Sequence, residues 1–306
     1  MGLTYVRSLR LRDLLRLAAL AAVVSVSLSG LAGVASAAVP GTRLWVTRYD
    51  GPGNGADSAW SLAVSPDGTK VFVTGSSTGS TSGSGYATFA YSASTGARLW
   101  AARYDGPGDG EDVADSVAVS PGGTKVFVTG GSAGDYATVA YKAFTGAKLW
   151  AARYNGPGNR ADSAWSLAVS PDGAKVFVTG HSVGSTSKDD YATIAYKAAT
   201  GAKLWATRYN GPANDNDGAT SVAVSPNGTK VFVTGSSSTP TSATDYLTFA
   251  YSASTGARLW AARYDGPGNW YDGAYSVAVS PAGTRVFVTG WVWGNEEDYA
   301  TIAYAA

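Results

Sequence analysis

The chain has 306 residues, with 23 Lys and Arg, 22 Asp and Glu, one His and no cysteine. The near-neutral balance excludes the basic footprint of a nucleic-acid-binding protein. The lack of cysteine excludes disulfides, thiolate metal ligands and a thiol nucleophile, so stability must come from a buried core, which a chain of this length can form.

Residues 1–37 have the three parts of a secretory signal peptide. Four arginines, at positions 7, 10, 12 and 16, precede an apolar run at 17–34, and Ala35-Ser36-Ala37 has the spacing of a cleavage site. An uncleaved anchor is the alternative, but serines and glycines interrupt the run. Because this segment holds four arginines and Asp13, its removal changes the formal net charge from +1 to −2. We expect a secreted protein with no membrane span after cleavage, and residues 38–306 as one domain.

An internal repeat governs the rest of the chain. An LW dipeptide returns at intervals of 50 or 55 residues, with its tryptophan at Trp45, Trp100, Trp150, Trp205 and Trp260. Each unit holds four runs rich in Val, Phe, Tyr and Thr; in one unit they are Ser116–Ser120, Lys125–Gly130, Tyr136–Tyr141 and Lys148–Tyr154. SPGGT-like and Thr-Gly turns separate them, which indicates hairpins. Four antiparallel strands per unit predict the blade of a β-propeller.

The two ends of the domain predict how the ring closes. Leu44–Tyr49 is a fourth strand without a unit before it, and Tyr299–Tyr304 is a third strand without a fourth after it. A solenoid, the alternative, would have polar capping repeats, which are not evident. We therefore predict an all-β, monomeric, five-bladed β-propeller of four-stranded antiparallel blades, closed by an N-terminal outer strand that completes the last blade.

The segment Ala90-x-Ser92-x-x-Thr95-Gly96-x-x-x-Trp100 resembles the tryptophan-docking motif A-x-D-x-x-T-G-x-x-x-W of PQQ-like propellers. Blades such as LAVSPDGTKVFVTG (62–75) also resemble those of secreted bacterial β-propeller repeat (SBBP) proteins. The resemblance implies that each recurrent Trp packs on the next blade, although Ser or Lys replaces the motif's Asp. Quinoproteins of this type typically have eight blades, and many have a vicinal Cys pair. The PQQ cofactor is therefore not expected here.

Any binding site is expected on the face that carries the loops between second and third strands, because these loops vary most between units. Exposed aromatic side chains on this face suit a sugar ring or a protein hot spot, although packing of loop on loop would also explain them. The ligand-binding candidates are Trp60, Trp165, Trp270, Tyr271, Tyr275, Trp291 and Trp293.

Acidic residues on the same face form two sets. One recurs in every unit and is interpreted as structural, capping loop N–H groups or pairing with a recurrent arginine; it consists of Asp57, Asp112, Asp162, Asp217 and Asp272. The alternative is that these carboxylates bind a cation at the mouth of the central channel. The other is crowded into single loops and gives the candidates for Ca²⁺, the one cofactor considered: Asp109, Glu111, Asp112 and Asp115, with Glu296, Glu297 and Asp298 as a second group. Solvated acidic loops are the simpler interpretation.

Catalytic motifs are absent from the sequence. His181 is the only histidine, and neither G-x-S-x-G, H-E-x-x-H nor a P-loop occurs. We therefore predict a secreted, non-enzymatic propeller that binds a glycan or a protein through its variable face. The alternatives are an exported enzyme, either a glycoside-acting hydrolase or a degenerate quinoprotein, and a structural scaffold for envelope assembly.

Overall fold

The computed structural model describes residues 38–79, 83–108, 110–241, 243–294 and 296–306. The predicted signal peptide lies outside this part of the chain. The chain divides into a first unit that ends at Leu44 and a second unit, Trp45–Ala306. In the first unit, the N–H of Thr42 donates to the carbonyl of Val39 over 3.0 Å and closes a turn. The described residues include no helix that is long and apolar enough to cross a membrane.

The second unit contains five antiparallel sheets in chain order. The first sheet consists of β1 (Asp57–Val64), β2 (Lys70–Thr78), β3 (Ser84–Ser92) and β4 (Arg98–Tyr104). The second consists of β5 (Asp112–Val119), β6 (Lys125–Ser132), β7 (Asp135–Lys142) and β8 (Lys148–Tyr154). The third consists of β9 (Asp162–Val169), β10 (Lys175–Val183), β11 (Asp189–Lys197) and β12 (Lys203–Tyr209). The fourth consists of β13 (Asp217–Val224), β14 (Lys230–Ser237), β15 (Asp245–Ser252) and β16 (Arg258–Tyr264), and the fifth of β17 (Gly273–Val279), β18 (Arg285–Trp293) and β19 (Glu297–Ala305).

The prediction of an all-β chain built from five repeated propeller blades is confirmed. Each strand pairs with its neighbour in sequence, because the SPxG and Thr-Gly turns permit only short hairpin connections. The glycines of these turns, such as Gly123 and Gly146, have positive φ values of 66° and 71°. Strands β1, β5, β9 and β13 begin at the recurrent aspartate, a few residues earlier than the sequence predicts.

The first strand of each sheet has a β-bulge at the same place. The bulged residue lies three positions after the recurrent aspartate, and the five are Trp60, Asp115, Trp165, Thr220 and Tyr275. A bulge leaves one residue unpaired and redirects its side chain. The sheet therefore tolerates different side chains here, which explains why this position varies between units.

The core lies between successive sheets. One apolar cluster joins Phe72 and Trp100 of the first sheet to Val117, Val128 and Tyr141 of the second, and similar clusters join each later pair. In the first four sheets, the tyrosine near the start of the third strand links its sheet to the next through its hydroxyl. Tyr86 donates to the carbonyl of Ala137 over 3.1 Å, and Tyr191 to that of Leu247 over 3.0 Å. Burial of these large rings stabilises the contact between sheets.

The recurrent tryptophans occupy the interface between sheets. The indole N–H of Trp100 donates to the carbonyl of Ala143, and that of Trp150 to Ala198, at 2.9 and 3.1 Å. Trp45 and Trp205 make the same bond to Ala93 and Ala253. Trp260 packs beside Tyr304 of the fifth sheet, with ring centroids 5.9 Å apart.

Closure of the ring stays a prediction. Residues 45–49 lie beside the first sheet, where Trp45 makes its bond and Tyr49 packs on Phe89 at 4.4 Å, but they form no strand. The fifth sheet has three strands among the described residues, and β19 pairs there with β18 alone. Tyr299 on β19 is 86% exposed, whereas its counterpart Tyr246 is buried.

Candidate functional site

A cavity of about 630 Å³ lies at the end of the fifth sheet that carries its variable loop. Trp270 and Tyr271 enter it from the loop before β17, and Tyr275 from the bulge of β17. The remaining lining side chains come from β18 and β19, and are Trp291, Trp293 and Glu297. Five aromatic rings and one carboxylate therefore surround an open cleft. The structure brings together five of the seven aromatic residues that the sequence singles out.

The rings in this cleft remain open to solvent. Trp270 is 55% exposed and Tyr271 is 58% exposed, although aromatic side chains of this size are among those that gain most from burial. Trp291 is half-buried, and its indole lies over Gly273, where a Cβ would come within 2.8 Å of Nε1. Glycine at 273 therefore gives the ring room to lie across the strand. An exposed aromatic patch of this kind is typical of a binding surface.

The cleft is specific to the last unit. In the earlier units the positions of Trp270 and Tyr271 hold Gly-Ala, Gly-Glu, Arg-Ala and Asp-Asn pairs, at 55–56, 110–111, 160–161 and 215–216. Trp293 corresponds to Thr78, Ala133, Val183 and Ser238. The fold therefore forms without aromatic residues at these positions, and their presence in one unit points to a role other than scaffolding.

Asp272 joins the loop before β17, which carries Trp270 and Tyr271, to the loop that begins after Trp293 at the end of β18. Its Oδ2 accepts the N–H of Gly266 over 2.6 Å, and its Oδ1 accepts the N–H of Trp293 over 2.9 Å. Asp272 also donates its own N–H to the carbonyl of Thr244 over 2.8 Å. A fully buried carboxylate with two backbone partners holds both loops in one arrangement.

The same clamp recurs around the molecule. In every unit one oxygen of the recurrent aspartate accepts the N–H of the glycine six residues before it, at Gly51, Gly106, Gly156, Gly211 and Gly266. The recurrent arginine of the fourth strand binds residues other than the recurrent aspartate. Arg153, for example, donates to Ser132 and to Asp135, which begins the third strand of its sheet. The sequence analysis did not identify these serines and third-strand aspartates as partners of the arginines.

The other two aromatic candidates do not line the cleft. Trp165 packs on His181, with ring centroids 4.7 Å apart, and Trp60 is exposed on β1. Burial of the His181 ring lowers its pKa, which favours the neutral imidazole. Trp165 and His181 therefore form a local aromatic pair.

The candidate Ca²⁺ residues of the second unit form no group of three converging carboxylates among the described residues. Asp109 lies outside that part of the chain, and Glu111 is exposed on the loop. Asp112 is buried as the loop clamp, while Asp115 occupies the bulge of β5, where burial raises its pKa to about 6.

Three carboxylates do converge beside the fourth sheet, at Asp245, Asp265 and Asp272. One oxygen from each lies within 4.8 Å of the other two. Burial, and then the negative charges of Asp245 and Asp272, raise the pKa of Asp265. The sequence analysis missed Asp245 and Asp265, although an alignment of the four complete units shows that only the fourth has acids at all three positions.

The fold and the docked tryptophans define a PQQ-like β-propeller repeat protein. The model of the family described as outer membrane protein assembly factor BamB matches residues 88–289, about two thirds of the chain. The chain belongs to this family, which confirms the resemblance to PQQ-like propellers; the resemblance to SBBP proteins stays a prediction. No curated protein sequence gives a significant match.

Solved structures with a similar fold share little sequence with this chain. Hydrazine synthase of Kuenenia stuttgartiensis is 14% identical with a TM-score of 0.56, covering 75% of this chain and 61% of its own. Sqt1 of Chaetomium thermophilum, solved with the N-terminus of ribosomal protein L10, is 17% identical with a TM-score of 0.54, covering 81% and 58%. A 6-phosphogluconolactonase assigned from Bacteroides uniformis is 17% identical with a TM-score of 0.50, covering 82% and 74%. The chain thus spans about 60% of the length of the first two, and the likeness concerns the fold alone.

Proposed function

We propose that this protein is an exported, non-enzymatic propeller that binds a carbohydrate in the aromatic cleft of its last unit. The observation that carries the proposal is the convergence of Trp270, from the loop before β17, with Trp291 and Trp293 of β18. Flat rings offer broad apolar contact to the C–H face of a sugar, and their N–H and O–H groups offer hydrogen bonds at the edge. Glu297 adds a carboxylate that accepts hydrogen bonds from sugar hydroxyls.

The composition of the cleft favours binding over hydrolysis. Glycoside hydrolysis uses two carboxyl groups, one as acid and one as base or nucleophile, about 5–9.5 Å apart. Among the described lining residues Glu297 is the only carboxylate, and the other five are aromatic. A site of this composition holds a ligand but lacks the second group that the reaction requires.

A glycan array probed with the mature protein tests the proposal, followed by titration of the best ligand. The triple variant Trp270→Ala/Trp291→Ala/Trp293→Ala should lose at least tenfold in affinity, because it removes three of the stacking surfaces. The matched control is Trp60→Ala/Trp165→Ala, which removes two exposed aromatic rings from other sheets and should bind as the wild type does. Full affinity in the triple variant would show that the cleft is not the site.

A scaffold for envelope assembly is the second candidate, because the family description names an assembly factor. In that case the same exposed rings would be anchors for a protein partner, since tryptophan and tyrosine are enriched at interface hot spots. Cross-linking in cells, followed by purification of the wild type and the triple variant, separates the candidates. A single protein partner lost in the variant, without any glycan ligand, would favour the scaffold.

A further inference from the structure

We propose that Asp245, Asp265 and Asp272 form a Ca²⁺ site beside the fourth sheet. Carboxylate oxygens are the hard ligands that Ca²⁺ prefers, and it accepts six to eight of them at about 2.3–2.6 Å. Two oxygens on opposite sides of one Ca²⁺ are therefore about 5 Å apart at most. The three carboxylates fit this geometry, because one oxygen of each lies within 4.8 Å of the others.

The burial of Asp245 provides the independent observation. Its side chain is 2% exposed, and its Oδ2 accepts a hydrogen bond from Arg263 over 2.8 Å. Its Oδ1 is buried and has no hydrogen-bond partner among the described residues. A buried, ionised oxygen without a partner is destabilising, and a coordinated cation would satisfy it.

The charges of the cluster match a divalent ion. Three carboxylates carry three negative charges, and the guanidinium of Arg263 offsets one of them. Asp272 already accepts two backbone N–H groups, but each carboxylate oxygen has a further lone pair for a metal. Asp265 is exposed, so an ion can enter from solvent and retain water ligands there.

The other complete sheets provide internal controls. In the second and third sheets the position of Asp265 holds Asn155 and Asn210, and in the first sheet the position of Asp245 holds Gly85. In the third sheet Asp190 also has a buried oxygen without a partner, but Asn210 replaces the third carboxylate. Of the four complete sheets, the fourth is therefore the one in which the full set of acids meets.

The site adjoins the loop that carries Trp270 and Tyr271. Asp265 and Asp272 bracket residues 266–271, and Asp272 binds the N–H of Trp293. A bound ion would therefore join the two ends of this loop to the start of β15. The ion site does not depend on what the cleft binds, and its test uses Ca²⁺ alone.

Calorimetric titration of the EDTA-treated full chain with CaCl₂ tests the site. We expect one Ca²⁺ at this set of carboxylates, at least tenfold weaker binding of Mg²⁺, and Tb³⁺ emission sensitised by the nearby tryptophans. Asp265→Asn should weaken Ca²⁺ binding at least tenfold without loss of folding, because asparagine stands at the equivalent position in two other sheets. Asp105→Asn is the matched control, since it alters the same loop position beside Gly85 and should leave Ca²⁺ binding unchanged.

A reciprocal variant completes the test. Asn210→Asp completes the set of three carboxylates with Asp190 and Asp217, so it should bind one more ion per chain than the wild type does. The proposal is overturned if the wild type binds neither Ca²⁺ nor Tb³⁺, or if Asp265→Asn binds Ca²⁺ as tightly as the wild type. The absence of an additional ion in Asn210→Asp would equally contradict the proposal that three such carboxylates form the site.

Discussion

The indole N–H of Trp100 donates to the carbonyl of Ala143 over 2.9 Å, and its ring lies against Gly146 of the same turn. A Cβ on Gly146 would lie 2.7 Å from Cδ2 of the ring. The φ angle of Gly146 is +71°, which also disfavours any residue with a Cβ. The Thr-Gly turn is thus shaped to receive the tryptophan of the preceding sheet.

Gly146→Ala should lower the free energy of unfolding by about 2–3 kcal/mol, since it combines steric overlap with backbone strain. Urea denaturation followed by tryptophan fluorescence measures the change. Gly122→Ala is the control, because a Cβ there meets nothing within 4 Å and the last unit has Ala282 at the same position. Equal stability of the two variants would contradict the docking geometry.

Asp162→Ala should destabilise the third sheet by about 2–4 kcal/mol, because it leaves the backbone N–H groups of Gly156 and Val183 without their acceptor. Denaturation in urea gives the difference from the wild type. Asp172→Ala, in the exposed turn of the same sheet, should change stability by less than about 1 kcal/mol. A mild effect of Asp162→Ala would show that water replaces the carboxylate.

Asp115 should make stability depend on pH. Burial raises its pKa to about 6 in the folded protein, above the ordinary aspartate value of about 3.9 in the unfolded chain. Between these values the folded state binds more protons, so the contribution of Asp115 to stability falls as pH rises from 4 to 6 and stays unfavourable above 6. Asp115→Asn should therefore be more stable than the wild type at pH 7, by roughly 1–2 kcal/mol.

Urea denaturation of both proteins at pH 4.5 and pH 7 checks this expectation. The two proteins should differ less at pH 4.5, because the wild-type carboxyl is then mostly protonated when folded. Parallel pH profiles for the wild type and Asp115→Asn would contradict a raised pKa.

The predicted closure of the ring can be tested by a designed disulfide. In the first sheet Thr88 of β3 faces Ala102 of β4, and the same register would place Thr301 opposite Thr47. Beside residues 45–49 the first sheet has a cavity of about 390 Å³, lined by apolar side chains such as Leu62, Val73 and Phe89. Tyr86 binds the carbonyl of Ala137 in the sheet that follows its own. In a closed ring the first sheet would follow the fifth, and the equivalent acceptor for Tyr299 would be the carbonyl of Ala87.

Thr47→Cys/Thr301→Cys should form a disulfide within one chain under mild oxidation, because the protein has no other cysteine to compete. Non-reducing electrophoresis and peptide mapping identify the bond. Thr47→Cys/Arg285→Cys, which are far apart in that register, should remain reduced. A disulfide between two chains would indicate that β19 pairs with a second copy and would contradict closure.

The strands and turns of this protein could be predicted because each unit repeats the same local signals. Val- and Tyr-rich runs, bounded by Pro-Gly and Thr-Gly turns, are compatible with one order of hairpins. The docking role of Trp100 followed from a motif whose spacing is constant. The aromatic candidates could be identified by comparing the units, since Trp291 and Trp293 stand where no other unit has Trp, Tyr or Phe.

The cation site was not predictable from local pattern alone. Asp245 and Asp265 are 20 residues apart in sequence and belong to the third strand and to the loop after the fourth. Each is ordinary in its own segment, since Asp135 and Asp105 occupy the same positions in other units. The candidate cation site forms only in the sheet where Asp245, Asp265 and the loop-clamping Asp272 occur together.

The amino-acid sequence by itself determined the blade, because hydrogen-bonded hairpins and their turns depend on residues that are near one another in the chain. The tertiary structure decided which side chains meet across loops: Trp270 with Trp293, and Asp245 with Asp265 and Asp272. These contacts depend on how the bulge of β17, the clamp of Asp272 and the neighbouring strand orient each side chain. The orientation of a side chain across a loop depends on how the sheets pack, so it cannot be predicted from one segment of the sequence.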